Sequence, residues 1–125
     1  VLKKDEILNA QDLKTEVVHV PQWGGDVIVR ELTTAQRNEV YKYIADNRES
    51  AVGRFQPMVV RMSVVGEDGH PVFSEDDEAA LAGKSSKAMD IVFAACCRTT
   101  KLRRADIAET AKNSEETPTD GSSSD

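Results

Sequence analysis

Apolar and polar positions recur with more than one period along this chain, and the changes of period divide it into elements. From Asp5 to Lys14 only Ile7, Leu8 and Leu13 are large and apolar, which suits a short N-terminal helix. Thr15 to Glu31 then carries two β-branched runs, Val17-Val-His-Val20 and Val27-Ile-Val29, on either side of Gly24 and Gly25. Such runs around a glycine pair predict a β-hairpin over about 15–31, because glycine takes the positive φ of a two-residue turn. That loop sets Trp23 opposite Asp26, Val20 opposite Val29 and His19 opposite Arg30. Pro21 has no N–H for the ladder and belongs at an edge or a bulge.

Thr33-Thr-Ala-Gln36 has the form of a capping box, so a helix is predicted from Thr34 to about Asn47. Val40, Tyr41, Ile44 and Ala45 recur at three and four residues as its buried stripe, leaving Arg37, Glu39, Lys42 and Asp46 to water or a partner. The segment 55–65 is rich in valine, which favours a strand, yet Phe55, Met58, Val59, Met62 and Val65 are spaced as one helical face. Spacing decides for a helix, with Pro57 tolerated in its first turn. Gly66-Glu-Asp-Gly-His-Pro71 is dense in turn formers and ends that segment. Ser74 with Asp77 reads as the cap of a short helix reaching about Ala82 and stopped by Gly83. Ser85 caps the next helix, in which Ala88, Met89, Val92, Phe93 and Cys96 form an apolar stripe to about Thr99. A brief helical piece from Arg104 to Thr110, anchored by Ile107, is expected after it.

Beyond Ala111 no large apolar side chain remains, so 111–125 is expected to be a disordered polar tail, unable to offset its conformational entropy by burial. The expected architecture is α+β and helix-dominated: an N-terminal β-hairpin packed against a small set of amphipathic helices, in one domain over 1–110.

Charge narrows the partners. The 125 residues carry a formal net charge of −6, and nothing offers the broad positive field that a phosphate backbone requires, so nucleic acid is not an expected partner. Met89 to Cys97, the longest apolar stretch, is interrupted by Asp90 and falls short of the roughly 20 residues that span a bilayer. No membrane partner is expected, and without a signal-peptide core behind Lys3 and Lys4 a cytoplasmic location is expected.

The chemical constellations are sparse. Cys96 and Cys97 are adjacent and would close a strained ring if paired, and His19 and His70 stand far from them, so neither a disulfide nor a metal site is expected. Glu67-Asp68 and Glu75-Asp-Asp-Glu78 lack calcium-loop spacing, and Gly66-Glu-Asp-Gly69 lacks the spacing and lysine of a phosphate loop. Ser85, Ser86 and Lys87 belong to no nucleophile motif. No catalytic residue, cofactor or metal is therefore expected. Two features remain open. Arg98, Lys101, Arg103 and Arg104 either favour a helix C-terminus or dock an acidic surface, a second copy included. Trp23 is either a lid on the core or an exposed interface anchor.

The order of the pieces carries more than any one of them. A polar N-terminus, Val20-Pro-Gln-Trp-Gly-Gly-Asp-Val-Ile-Val-Arg-Glu-Leu-Thr33, an amphipathic helix, Pro57-Met-Val-Val-Arg-Met-Ser-Val-Val-Gly-Glu-Asp-Gly-His-Pro-Val-Phe73 and a helix of the Ala88 to Arg98 type resembles the tail assembly chaperones of long-tailed bacteriophages over about 5–113. The resemblance implies a non-structural factor that binds the tape measure protein, helps recruit the tail tube protein, acts in the infected host's cytoplasm and is absent from the virion. It also implies a longer product made by ribosomal frameshifting, for which Ala111-Lys112-Asn113, encodable as GCA-AAA-AAC, is the candidate position. Self-association is a further expectation, since a narrow core leaves apolar stripes uncovered. The competing readings are a structural tail or head-completion subunit retained in the particle and a small cellular regulatory binding protein.

Overall fold

The computed structural model describes residues 1–47 and 51–102, with side chains over 1–47 and 55–102. Helix α1 (Lys4–Leu8) is followed by strands β1 (Thr15–Val20) and β2 (Gly25–Arg30), helices α2 (Thr34–Asp46) and α3 (Ala51–Ser63), and strand β3 (Val64–Val65). A 3₁₀ turn at Glu75–Asp77 leads into α4 (Glu78–Ala82), and α5 (Ser86–Thr100) closes the described chain. The fold is α+β and helix-dominated, with an N-terminal antiparallel hairpin packed on helices. No helix among the described residues is long and apolar enough to cross a membrane. The expected helix at Arg104 to Thr110 and the expected tail at 111–125 lie outside the described residues.

The hairpin forms where expected but in another register. Pro21–Trp23 makes a 3₁₀ turn, Gly24 N–H bonds the Val20 carbonyl at 3.0 Å, and Gly25 already belongs to β2. Val20 therefore pairs with Gly25, Val18 with Val27 and His19 with Asp26, instead of Val20 with Val29 and His19 with Arg30. Proline's locked φ and missing N–H account for the change, since Pro21 suits the start of a turn and not a ladder position. The shift is four residues, an even number, so each side chain keeps its face: Val18, Val20 and Val29 are buried on the inner side. Only Gly24, at φ 73°, needs glycine, and nothing crowds a Cβ at Gly25. Gly24→Ala is accordingly expected to cost about 1 kcal/mol and Gly25→Ala to change stability by less than about 0.5 kcal/mol. Thermal midpoints of the two single variants check this, and equal losses would contradict the turn geometry.

α1 is shorter than the expected Asp5 to Lys14. Lys14 is drawn into the sheet's extension, its carbonyl accepting from Glu31 N–H at 2.8 Å and its N–H donating to Glu31 Oε1 at 3.0 Å. Such pairing needs extended backbone at Lys14 and competes with helix.

α2 starts as its capping box requires: Gln36 N–H donates to Thr33 Oγ1 at 3.1 Å and Thr33 N–H to Gln36 Oε1 at 3.0 Å. Val40 and Ile44 are fully buried, while Arg37, Glu39, Lys42 and Asp46 are exposed. The helical reading of 55–65 holds up to Ser63 and fails beyond it. α3 begins at Ala51, which puts Pro57 inside the helix, where it forfeits a hydrogen bond, and not in a first turn. Val64 and Val65 leave the helix to pair with Val29 and Ile28, making a three-stranded sheet of order β1-β2-β3. The turn at 66–70 brings Pro71 back against Val65 and Val72 N–H to the Val64 carbonyl at 3.2 Å.

α5 contacts the 3₁₀ turn and both long strands, so it lies along the sheet's inner face, and α3 packs between α5, α2 and α4. Phe93 meets Phe55 edge-on, centroids 5.4 Å apart, with Val59, Val92 and Met89 buried in the same core. Ser85 caps α5 by accepting from Ala88 N–H at 3.3 Å, and Arg61 ties α3 to Glu78 of α4.

Candidate interaction site

Valine and isoleucine occur on both faces of the sheet. Strands with one face on a core and one in water alternate apolar with polar, yet Val17-Val18 and Val27-Ile28-Val29 run without interruption. Register places Val17, Ile28 and Val65 in one cross-strand row on the outer face, away from Val18, Val20 and Val29. Val17 is 65% exposed there and Val72, on the returning chain, 55%. These residues line a groove of about 440 Å³, walled by Trp23 and Phe73, and its lining is mainly apolar. Its charged lining residues are both acids, Asp26 and Glu67. Asp26 Oδ1 lies 2.8 Å from His19 Nδ1 across the hairpin, while Glu67 has no ion pair among the described residues.

Beside the groove, Arg30 Nη1 donates to the Gly69 carbonyl at 2.9 Å and ties the 66–70 turn to β2. Gly69 adopts φ 83° there, and Asp68 Oδ1 accepts from His70 N–H at 3.0 Å, which stiffens the turn. The hydrogen bond from His70, more than any charge, holds the Asp68 carboxyl below its usual range.

The basic cluster is divided by the fold. Arg98 reaches Glu16 on β1 through two hydrogen bonds, 2.6 Å and 3.3 Å, so its guanidinium fastens α5 to the hairpin. That bonding lowers the Glu16 pKa and raises that of Arg98. Lys101 is exposed and occupies the left-handed position after α5 at φ 64°, with Leu102 N–H returning to the Cys97 carbonyl at 3.0 Å and its side chain buried. This is a glycine-type helix stop built with lysine. Lys101→Gly is expected to stabilise the fold by about 0.5–1 kcal/mol. Urea midpoints measure it, and a loss would contradict the strained backbone. Arg103 and Arg104 lie outside the described residues, as do Lys112 and Asn113.

Trp23 is half-buried, packed against the core and at the same time forming one wall of the groove. Its packing is that of a lid on the core. Groove residues Val17, Ile28, Val65 and Val72 were not singled out from the sequence, although the unbroken apolar runs were the available signal.

Among the described residues, no three histidine, cysteine or carboxylate side chains gather as metal ligands would. Cys96 is fully buried, its thiol 3.7 Å from Thr100 Oγ1. Burial pushes its pKa up to about 11. A raised thiol pKa means that the unfolded chain ionises first as pH rises. Stability is thus expected to be fully present below about pH 9 and to fall toward pH 11 from this group, and a Cys96→Ala variant should lose this part of the pH dependence. Urea titrations of both proteins across that window check it; identical slopes would contradict the burial argument.

No protein-family model matches the chain, and no curated protein does. Among solved structures, the bacteriophage HK97 tail assembly chaperone has a similar fold, at a TM-score of 0.55 and 17% sequence identity, over 79% of this chain and 94% of that chain. At this identity the likeness is one of fold.

Proposed function

We propose that this chain is a non-enzymatic tail assembly chaperone that binds the tape measure protein and helps recruit tail tube subunits in the cytoplasm of an infected host. One observation carries the reading: the fold is similar over 94% of the HK97 chaperone and 79% of this chain. Apolar surface supports it, since a protein that keeps long amphipathic helices in solution must offer them a partly apolar face, and here that face is the groove of Val17, Ile28, Val65 and Val72.

Co-expression tests the proposal. Alone, a tape measure protein, which this reading expects as a very long helical protein encoded beside this gene, is expected in the insoluble fraction; with this chain it is expected in the soluble fraction and to co-purify. Mass spectrometry of purified particles should find no copy of this chain, and a stoichiometric copy number would instead assign it as a retained subunit. The longer product is part of the same proposal. A slippery run at the codons of Lys112 and Asn113, with a protein sharing the first 113 residues in infected cells, is the expected finding. An unslippery sequence there removes the extended form while leaving the chaperone reading intact.

A further inference from the structure

The two edges of the sheet differ. β3, on one side, is two residues long and is overlaid by the returning chain, where Pro71 bridges Val65 and Val72 N–H donates to the Val64 carbonyl at 3.2 Å. β1, on the other side, is six residues long and pairs only with β2. Antiparallel pairing turns alternate residues toward the neighbouring strand. The Lys14 and Val20 carbonyls turn inward, accepting from Glu31 and Gly24 N–H, so Thr15, Val17 and His19 direct their N–H and C=O groups away from β2. His19 and Asp26 agree with this, because a side-chain approach of 2.8 Å suits a pair without mutual backbone bonds. Exposed edges are normally blunted by lysine, proline, a bulge or a covering element. Thr15-Glu-Val-Val-His-Val20 contains neither residue, pairs without a bulge, and leaves Thr15, Val17 and His19 exposed. From this asymmetry we infer that the β1 edge takes a fourth strand, an extended acidic segment of a partner protein added antiparallel to Thr15–Val20.

Backbone chemistry excludes a helix there, since a helix has already bonded its own N–H and C=O groups and has none to offer an edge. The edge is therefore a different kind of surface from the groove, which meets its client through side chains. Charge on the inner flank selects the segment. Lys87, Ile91, Ala94 and Arg98 recur at three and four residues on α5, and the reach of Arg98 to Glu16 fixes that face as the one beside β1. Lys87 is exposed on it, and exposed Lys101 stands three residues beyond Arg98. Glu16 meets Arg98 alone, so the inner flank is basic although the whole chain carries a net charge of −6. On the outer flank, Val17 is 65% exposed at the end of the row it makes with Ile28 and Val65. A strand with carboxylates toward α5 and β-branched side chains beside Val17 continues both flanks.

A short capped peptide alternating valine and glutamate is the probe, and amide hydrogen exchange of the full chain, read by NMR, is the measurement. Saturating peptide is expected to slow exchange at Thr15, Val17 and His19 about tenfold or more, while Glu16 and Val18, already turned to β2, change far less. N-methylating the valines, whose N–H groups face β1 in the antiparallel fit, should abolish binding, whereas N-methylating the glutamates should preserve it. Replacing glutamate by lysine is expected to weaken binding about tenfold, against the pull of the chain's own net charge. No protection at millimolar peptide overturns the proposal, as does equal binding by the two N-methylated forms, which would put the peptide on side chains alone. A lysine peptide that binds as well as the glutamate one overturns the acidic assignment. Protection of these amides that grows with protein concentration in the absence of peptide would give the edge to a second copy and overturn the proposal as well.

Discussion

Phe93→Ala is expected to cost about 3–5 kcal/mol, the range for truncating a buried aromatic. Phe93 is 4% exposed and sits on α5 where that helix meets α3. Alanine there leaves a cavity bordered by Phe55, whose ring it currently meets edge-on at an interplanar angle of 71°. Apolar neighbours such as Val59 and Val92 are held by their own helices and cannot collapse fully into the gap. Domains of this size are stable by only about 5–15 kcal/mol, so the loss is a large share of the total. Urea unfolding of the purified chain measures it. The double variant with Phe55→Ala should cost less than the sum of the single variants by about 0.5–1.5 kcal/mol, the part owed to the ring contact. A loss below about 1 kcal/mol for Phe93→Ala would be the value of a surface side chain and would remove α5 from the centre of the core.

Ile44→Ala is expected to cost about 2–5 kcal/mol and to act on α2 above all. That helix has two buried anchors, Val40 and Ile44, both at 0% exposure, and α3 is its principal neighbour. Apart from Tyr41 and Tyr43, which lie partly buried against the core, its remaining surface is mostly exposed, and the Lys42–Asp46 pair at 2.7 Å is too well solvated to hold it in place. With one of two anchors shortened, α2 should open locally at lower free energy than the rest of the fold. Amide hydrogen exchange reads this directly. Protection in 40–46 should fall further than protection in α5, whereas a uniform fall would mean that α2 unfolds only with the whole chain.

What could be read from the sequence alone was local. The caps at Thr33 and Ser85 and the stripe of Ala88, Met89, Val92, Phe93 and Cys96 are all present in the structure, while Ser74 opens a 3₁₀ turn and Asp77 stands at the start of α4. A cap joins residues three apart and a stripe repeats within one helix, so neither depends on where the rest of the chain lies. The hairpin's existence was legible in the same way, through its β-branched runs. Its register was not, because two glycines advertised a two-residue loop while Pro21 selected a longer one. β3 was also beyond sequence reasoning. Val64 and Val65 continue the apolar spacing of α3, and only the free edge of β2, through Ile28 and Val29, makes them a strand.

The candidate site followed the same rule. Trp23 could be named from its turn, but the groove it walls needs residues 17, 28, 65 and 72 brought together from three parts of the chain. Arg98 looked like free positive charge until the fold set Glu16, 82 positions away, within 2.6 Å. Sequence determined which segments would be helical, where α2 and α5 would begin, and which faces would be apolar, since those depend on neighbours a few residues off. Tertiary structure decided register, the third strand, the groove and the partner of each charge, because these are set by contacts whose loop-closure cost is met only when the whole core assembles.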